Sequence, residues 1–483
     1  MSKYFDRYLL LPTAFLLILQ IFNNCSGQQM TATIKMPDAS GRLVEISGRF
    51  VDPAGRNFAI TRAYGGISGL ADRVSDLILE DANGKPVAYK QFIPGEYVAD
   101  ADVFSWKYKM NLAPRRGSVL AAHTSWIGID AGVIFLDDVL PIIPPQGGKV
   151  LADVTLELPN GWQSSRDTGL KKVNVEREVV FVAKAPRILR IHVQDADLTV
   201  TITGDWKFTD EDLRRFVFEI YDRYRQVFGG TPGPSSSIYI THFPVQQEFG
   251  AWEADTRGST ITIVSSDTAF STQSVQRLHE QLRHEIFHLW FPNAVSLSGR
   301  YDWFYEGFAL YESLKTGVAL NRIRFDDLLD TLSRAYTFDS ALRNRPSLLD
   351  LSANRSAGGD TDLYARGMII AFLTDLELMR ASGGKANVET LLRDLFEKYH
   401  EAPSQVDGNK AVFDLIASPL IARYVQSTEQ IDIDRALQVA GIDLVKNGPS
   451  YSLKVTARPD RRQREMLDKL GYNNWRRSSV SPK

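Results

Sequence analysis

Cysteine is almost absent from this chain, since Cys25 is the one cysteine in 483 residues. A disulfide framework and a cysteine-type zinc site are therefore excluded. A strong charge of one sign is also lacking, because 56 basic and 58 acidic residues give a net charge of -2. That balance argues against nucleic acid as the main partner. The sequence contains no internal repeat or long low-complexity run, and its length predicts two or three domains.

The first residues have the pattern of an export signal. Lys3 and Arg7 precede the apolar residues 8–22, a run that is short for a membrane span. Cys25-Ser26-Gly27 places small residues where a signal peptidase reads, so we expect a signal peptide over residues 1–27. Lipidation of Cys25 and retention of the leader as an anchor stay open, and membrane association is expected only in those two cases. Otherwise the protein is expected to be periplasmic or secreted.

The most informative motif is His284-Glu285-Ile286-Phe287-His288. On a helix, this spacing places the two imidazoles one turn apart on one face, where both reach the same cation. Residues 273–290 contain neither glycine nor proline, and apolar side chains recur at helical spacing from Leu278 to Leu289. The motif is therefore predicted to lie on a half-buried helix. His279 falls on another face of that helix and is predicted to be a satisfied or exposed histidine.

A third metal ligand is predicted among the apolar residues 303–311, where Glu306 is the single acid. A buried carboxylate needs a partner, and a metal supplies one. Two imidazoles and one carboxylate leave a fourth coordination position open, which is typical of a catalytic zinc site. We therefore predict that His284, His288 and Glu306 bind one zinc ion per chain, with Glu285 as the general base of a hydrolysis.

These residues resemble the gluzincin peptidases, in particular the aminopeptidase N and glycyl aminopeptidase families. Residues 284–290 are similar to the glycyl aminopeptidase form of the motif, whereas residues 290–297 and 306–311 are similar to aminopeptidase N. Seventeen residues separate His288 from Glu306, one fewer than is usual in aminopeptidase N, so the intervening loop must differ. The resemblance implies a thermolysin-like domain and a zinc aminopeptidase.

The resemblance also implies two further site residues. Gly250-Ala251-Trp252-Glu253-Ala254 resembles the strand on which aminopeptidases bind the free amino terminus, so Glu253 is expected to bind substrate. Ala254 replaces the family's asparagine. Tyr364-Ala365-Arg366-Gly367 resembles the element whose tyrosine donates to the oxyanion, so Tyr364 is expected to be catalytic. Arg366 replaces the usual lysine.

The expected fold is α+β and multidomain. In residues 28–188, glycine and proline punctuate short β-rich runs, which predicts an antiparallel β domain. Residues 189–400 alternate strands and helices and match the thermolysin-like zinc peptidase domain that the resemblance implies. Residues 401–483 predict a short helical C-terminal region with a charged tail, in which residues 461–465 and 476–477 are expected to fray.

Three functions of different classes are left open. The leading hypothesis is an exported zinc aminopeptidase that hydrolyses peptides. A zinc endopeptidase, or a hydrolase of another small substrate, uses the same machinery. A non-catalytic peptide-binding protein of the same fold is the third, and the complete set of His284, Glu285, His288, Glu306 and Tyr364 argues against it. The sequence predicts no oligomeric state.

Overall fold

The structure, a computed structural model, covers most of the chain after the expected signal peptide. The described residues are 29–36, 42–64, 67–115, 120–142, 150–266, 268–295, 297–355, 360–400 and 405–474. The expected signal peptide with Cys25 lies outside them. Within these ranges, no helix combines the length and the apolar character that a membrane crossing requires.

The amino-terminal region consists of short strands whose side chains alternate between core and solvent. In β10 (Ser105–Asn111), Trp106, Tyr108 and Met110 are buried and Lys107 is exposed, as expected for a sheet with one covered face. The other elements of the region, in chain order, are β1 (Gln29–Lys35), β2 (Leu43–Phe50), β3 (Asn57–Ala59), β4 (Ala63–Tyr64), β5 (Ile67–Ser68), β6 (Val74–Glu80), β7 (Pro86–Val87), β8 (Tyr89–Ile93), β9 (Glu96–Ala99), β11 (Trp126–Ile127), β12 (Ala131–Phe135), α1 (Leu136–Val139), β13 (Leu151–Glu157), β14 (Trp162–Ser164), β15 (Gly169–Asn174) and β16 (Val179–Lys184).

Within the described residues, these strands form four sheets. A seven-stranded sheet has the order β15-β13-β1-β2-β10-β6-β7, and a four-stranded sheet has the order β11-β12-β16-β14. The smaller sheets are β3-β9-β8 and β4-β5. Neighbouring strands in these ranges are antiparallel except β1 and β13, which are parallel. The predicted antiparallel β architecture is therefore confirmed, with one parallel pair added.

The central region, residues 187–399, begins with a mixed sheet that is followed by helices. Its elements, in chain order, are β17 (Arg187–Val193), β18 (Ala196–Ile202), α2 (Asp210–Phe228), β19 (Ser235–His242), β20 (Trp252–Arg257), β21 (Thr260–Ser265), α3 (Ser271–His288), a π-helical turn (Leu289–Ala294), α4 (Asp302–Ala319), α5 (Phe325–Ala341), α6 (Leu348–Ala353), α7 (Asp360–Ser382) and α8 (Val388–Tyr399). The five strands have the order β17-β18-β19-β21-β20. One face of this sheet meets the four-stranded sheet, where Phe181 stacks on Tyr239 with ring centroids 5.3 Å apart.

The C-terminal region combines the predicted helices with a hairpin. Its elements are α9 (Gly408–Ile416), α10 (Pro419–Gln426), α11 (Asp434–Ala440), β22 (Ile442–Asn447), β23 (Ser450–Val455) and α12 (Arg461–Leu470). The expectation that residues 461–465 fray was wrong, and residues 476–477 lie outside the described residues. Residues 461–465 open α12, which Asp460 caps by accepting from the Gln463 amide, and which buries Leu467 and Leu470 against the core.

Helices α4 and α7 cross at two glycines, and this crossing positions the site described below. Gly307 on α4 and Gly367 on α7 lie against one another so closely that a Cβ on Gly307 would stand 2.6 Å from the Gly367 Cα. A Cβ on Gly367 would in turn stand 2.8 Å from the Trp303 carbonyl oxygen. Because real Cβ contacts are longer, any side chain at either position must push the two helices apart.

Gly307→Ala is expected to destabilise the protein by about 1–3 kcal/mol, the usual cost of overpacking a core. Gly169→Ala is the matched control, because a Cβ at that strand glycine would have no atom within 4 Å. Urea denaturation of both variants measures the difference. A Gly307→Ala variant as stable as the control would show that the helix crossing tolerates a wider separation.

Candidate metal centre

The two motif histidines lie on the last turns of α3, as their spacing predicts. α3 buries Leu278, Leu282 and Ile286 in the core, so its orientation is fixed by packing. Its opposite side presents His284 and His288 to one point, with their Nε2 atoms 3.2 Å apart. Both rings are mostly buried. The helix therefore brings two potential ligands together without any rearrangement.

Glu306 comes from α4 and completes a triangle with the histidines. Its Oε2 atom lies 3.5 Å from the Nε2 of His284 and 3.4 Å from the Nε2 of His288. This oxygen is buried and accepts no hydrogen bond from any group in the described residues, although a buried carboxylate oxygen normally has a donor. The three side chains are the one group in those residues that meets the spacing required for a metal ion.

The spacing of the three atoms fits a zinc ion. Ligands held about 2.0–2.1 Å from a tetrahedral zinc stand about 3.3–3.4 Å from each other. The observed separations of 3.2, 3.4 and 3.5 Å agree with that geometry. A cation at this point would also satisfy the Glu306 oxygen that lacks a donor. The residues present therefore fit the metal that the sequence predicts.

The surroundings of His288 and Glu306 favour a positive charge at the centre. Burial lowers the pKa of His288, but the Glu306 carboxylate outweighs it and raises that pKa to about 9. Burial alone would raise the pKa of Glu306, yet Arg355 and His288 hold it well below its ordinary value. The His288 Nδ1 donates to the Phe291 carbonyl oxygen at 2.8 Å, which directs Nε2 towards Glu306. Because a histidine must be deprotonated at Nε2 to bind a metal ion, protons and a metal ion compete for these side chains.

Glu285 lies beside the triangle and is not part of it. Its carboxylate Oε2 accepts a hydrogen bond from the Thr256 hydroxyl at 2.7 Å, and its side chain is almost fully buried. Thr256 belongs to β20, so this strand, which lies next to α3, fixes the direction of the Glu285 carboxylate. Asn293 ties the two elements together by donating to the carbonyl oxygens of Thr256 and His288.

Tyr364 is brought to the same place by α7. Its ring centroid lies 6.4 Å from that of His284. The phenol oxygen accepts a hydrogen bond from Arg355 at 2.8 Å, and Arg355 also contacts the second oxygen of Glu306. The glycine contact between α4 and α7 places Tyr364 and Glu306 within reach of one guanidinium. The structure thus brings Tyr364 to the predicted metal site.

Glu253 is placed on β20, where the central region meets the amino-terminal β region. Its Oε2 accepts a hydrogen bond from the Ala122 amide at 3.3 Å. Its Oε1 is buried and has no hydrogen-bond partner in the described residues. Burial raises the pKa of Glu253, and the Ala122 amide and His123 partly oppose that effect. A carboxylate with one unsatisfied buried oxygen is suited to receive a cationic donor.

The fold has known counterparts, although the sequence matches no family model and no curated protein. An aminopeptidase N family protein from Idiomarina loihiensis is similar with a TM-score of 0.72 and 13% identity, over 86% of this chain and 79% of that one. An M1 zinc metallopeptidase from Deinococcus radiodurans gives a TM-score of 0.55 at 14% identity, over 84% and 95% of the two chains. A mutant of the D. radiodurans enzyme bound to a Tyr-Ser-Ala substrate gives 0.56 at 14% identity, with the same coverage.

This chain has the M1 zinc metallopeptidase fold. The fold that the motif resemblance implies is therefore confirmed. At 13–14% identity the likeness concerns the fold alone. A reaction can therefore be argued only from the side chains of this chain.

Within this M1 fold, Arg366 has a structural role. The residue is 1% exposed and pairs with Asp339 at 3.0 Å. It also donates to the carbonyl oxygens of Tyr424, Ser427 and Glu429 in the C-terminal region. A lysine has one nitrogen and could not reach all of these acceptors. The arginine at position 366 therefore anchors the C-terminal region to α7, the helix that carries Tyr364.

Arg257 of β20 joins the amino-terminal β region to the strand that carries Glu253. Its guanidinium forms a bidentate pair with Asp137 at 2.8 and 2.9 Å and also binds Asp255 at 2.7 Å. Asp255 contacts His123 at 3.4 Å. The guanidinium further lies over the rings of Tyr64 and Phe135. The position of Glu253 relative to the amino-terminal region is therefore fixed by a buried ion-pair network.

Several residues around the site were not predicted from the sequence. Thr256 and Arg355 have no motif spacing to the metal ligands, and they reach the site only through β20 and the end of α6. His123 has no motif spacing to the ligands either, and its partner Asp255 lies two residues after Glu253 on β20. His279 is satisfied, since it bonds Glu219 at 3.0 Å and Arg283 at 2.7 Å.

Proposed function

We propose that this protein is an exported zinc-dependent aminopeptidase. The observation that carries the proposal is the triangle of His284, His288 and Glu306, whose separations match a tetrahedral zinc ion. Glu285, which Thr256 holds, and Tyr364, whose ring lies beside that of His284, would supply the base and the hydrogen-bond donor that peptide hydrolysis uses. Export is proposed from the leader in residues 1–27.

The roles of the side chains follow from their positions. Zinc in this site would supply the Lewis acidity that polarises a peptide carbonyl and acidifies water. Glu285, held by Thr256, accepts a proton from the attacking water and passes it to the leaving amine. The Tyr364 phenol donates a hydrogen bond to the carbonyl oxygen as that oxygen gains negative charge.

Glu253 is proposed to select substrates with a free amino terminus. Its Oε1 has no donor among the described residues, and an ammonium group would provide one. Its Oε2 is held by the Ala122 amide, so the carboxylate is fixed before substrate binds. Glu253 lies on the same strand as Thr256, which holds Glu285. An anion fixed on that strand would set the distance between the bound amino terminus and the cleaved bond, which is the property of an exopeptidase.

We expect the purified protein to contain one zinc ion per chain. His288→Ala should lose the metal, because it removes one of three converging ligands. His279→Gln, on the same helix but bonded to Glu219 and Arg283, should retain it. Elemental analysis and chelator titration measure the zinc content of the two variants and of the wild type. Hydrolytic activity in a zinc-free wild-type sample would contradict the metal assignment.

Glu285→Gln should keep the zinc and the fold while losing most of the activity. Because Glu285 lies outside the ligand triangle, only proton transfer is removed, at a cost of roughly 10²–10⁴-fold in kcat. Glu280→Gln changes an exposed glutamate on the same helix and should have wild-type kinetics. Steady-state assays with zinc-loaded variants make the comparison. Near-normal hydrolysis by Glu285→Gln would exclude Glu285 as the general base.

Free-amine substrates should be cleaved far better than blocked ones. An N-acetylated peptide leaves Glu253 without its cationic partner, and an unpaired buried charge costs about 3–5 kcal/mol, so kcat/KM should differ by roughly 100-fold or more. Glu253→Ala should narrow that ratio, whereas Glu248→Ala, at an exposed position before the strand, should preserve it. Aminoacyl and N-acetyl-aminoacyl fluorogenic substrates measure the ratio. Equal cleavage inside blocked peptides would favour the endopeptidase instead.

A further inference from the structure

Arg355 contacts both Glu306, a proposed metal ligand, and the phenol of Tyr364. It follows α6 and reaches between α4 and α7. One guanidinium nitrogen, Nη2, lies 2.8 Å from the Glu306 Oε1 and 2.8 Å from the Tyr364 oxygen. The other terminal nitrogen, Nη1, lies 3.2 Å from the Asp302 Oδ1 and 3.4 Å from the Tyr305 oxygen. A single planar group thus contacts four oxygens from two helices.

The contact with Glu306 fixes which of its oxygens faces the histidines. Because Arg355 occupies Oε1, the carboxylate presents only Oε2 to the triangle. This contact is a charge-assisted hydrogen bond, so it holds the second oxygen more firmly than a neutral donor would. Partners of this kind orient metal ligands, and their loss typically weakens metal binding by about 10–100-fold.

The contact with Tyr364 fixes the direction of the phenol proton. A guanidinium has donors and no acceptor, so the phenol oxygen must accept from Arg355 and direct its own proton elsewhere. The positive charge beside the oxygen also polarises the O–H bond, which makes the phenol a stronger donor. Both effects prepare Tyr364 to stabilise an oxyanion.

We propose that Arg355 is a positioning residue that couples metal loading to the placement of Tyr364. Its Nη2 contacts both the metal ligand and the phenol, so any shift of the guanidinium changes the two contacts together. The coupling to Tyr364 rests on the proposed peptidase function, whereas the effect on Glu306 does not. A lysine at this position would keep the charge but not the planar fork that spans the four oxygens.

The first measurement is zinc affinity, by competition with a chromogenic chelator. Arg355→Gln should bind zinc about 10–100-fold more weakly than the wild type, and Arg355→Lys should fall between them. Arg322→Gln is the matched control, since it breaks a bidentate arginine pair with Glu219 away from the centre and should not change the affinity. Because this readout needs no turnover, it tests the effect on Glu306 even if the protein cleaves no peptide.

The second measurement is a double-mutant cycle on kcat at saturating zinc. Tyr364→Phe alone should lower kcat by roughly 10²–10³-fold with KM little changed. If Arg355 acts through the phenol, Arg355→Gln should also lower kcat, and the double variant should be hardly slower than Tyr364→Phe. A merely structural arginine would instead give additive losses.

Two results would overturn the proposal. Wild-type zinc affinity in Arg355→Gln would show that Glu306 orients itself without the guanidinium. Fully additive effects in the cycle would show that Arg355 and Tyr364 act independently. A wild type that binds zinc yet cleaves no peptide would refute the peptidase function, and the affinity series would still decide the role of Arg355 at the metal centre.

Discussion

The contact between α4 and α7 at Gly307 and Gly367 is the constraint on which the site depends. Each glycine follows closely on a functional residue, Glu306 on α4 and Tyr364 on α7. With no Cβ at the crossing, the helices approach near enough for one guanidinium to touch both side chains. A wider crossing would separate the metal ligand from the phenol. The close packing of the two helix backbones therefore sets the distance between Glu306 and Tyr364.

The sequence predicted well those parts of the site that lie close together along the chain. His284, Glu285 and His288 share one helix, so their geometry follows from helical periodicity alone. Glu306 was found because an acid in an apolar stretch requires a partner. The α+β fold class was predicted from two patterns. Residues 28–188 show short β-rich runs, and residues 189–400 alternate strands with helices.

The remaining site residues could not be predicted because no spacing rule links them to the motif. Arg355 follows the end of α6, Thr256 is part of β20, and His123 belongs to the amino-terminal β region. Their contacts arise only when distant elements pack together. The C-terminal stretch was misjudged for a similar reason, since charge suggested solvent, whereas Leu467 and Leu470 anchor α12 to a core formed by other elements.

The bond from the Ala122 amide to Glu253 joins the amino-terminal β region to the strand that carries the proposed substrate-binding carboxylate. All three predicted metal ligands lie on α3 and α4, whereas Glu253 is held in part by the β region. Under the proposed function, a change in the residues around Ala122 would alter which peptides bind without touching the metal ligands. Substrate choice and bond cleavage would then depend on different parts of the chain, so a substitution could change one and leave the other.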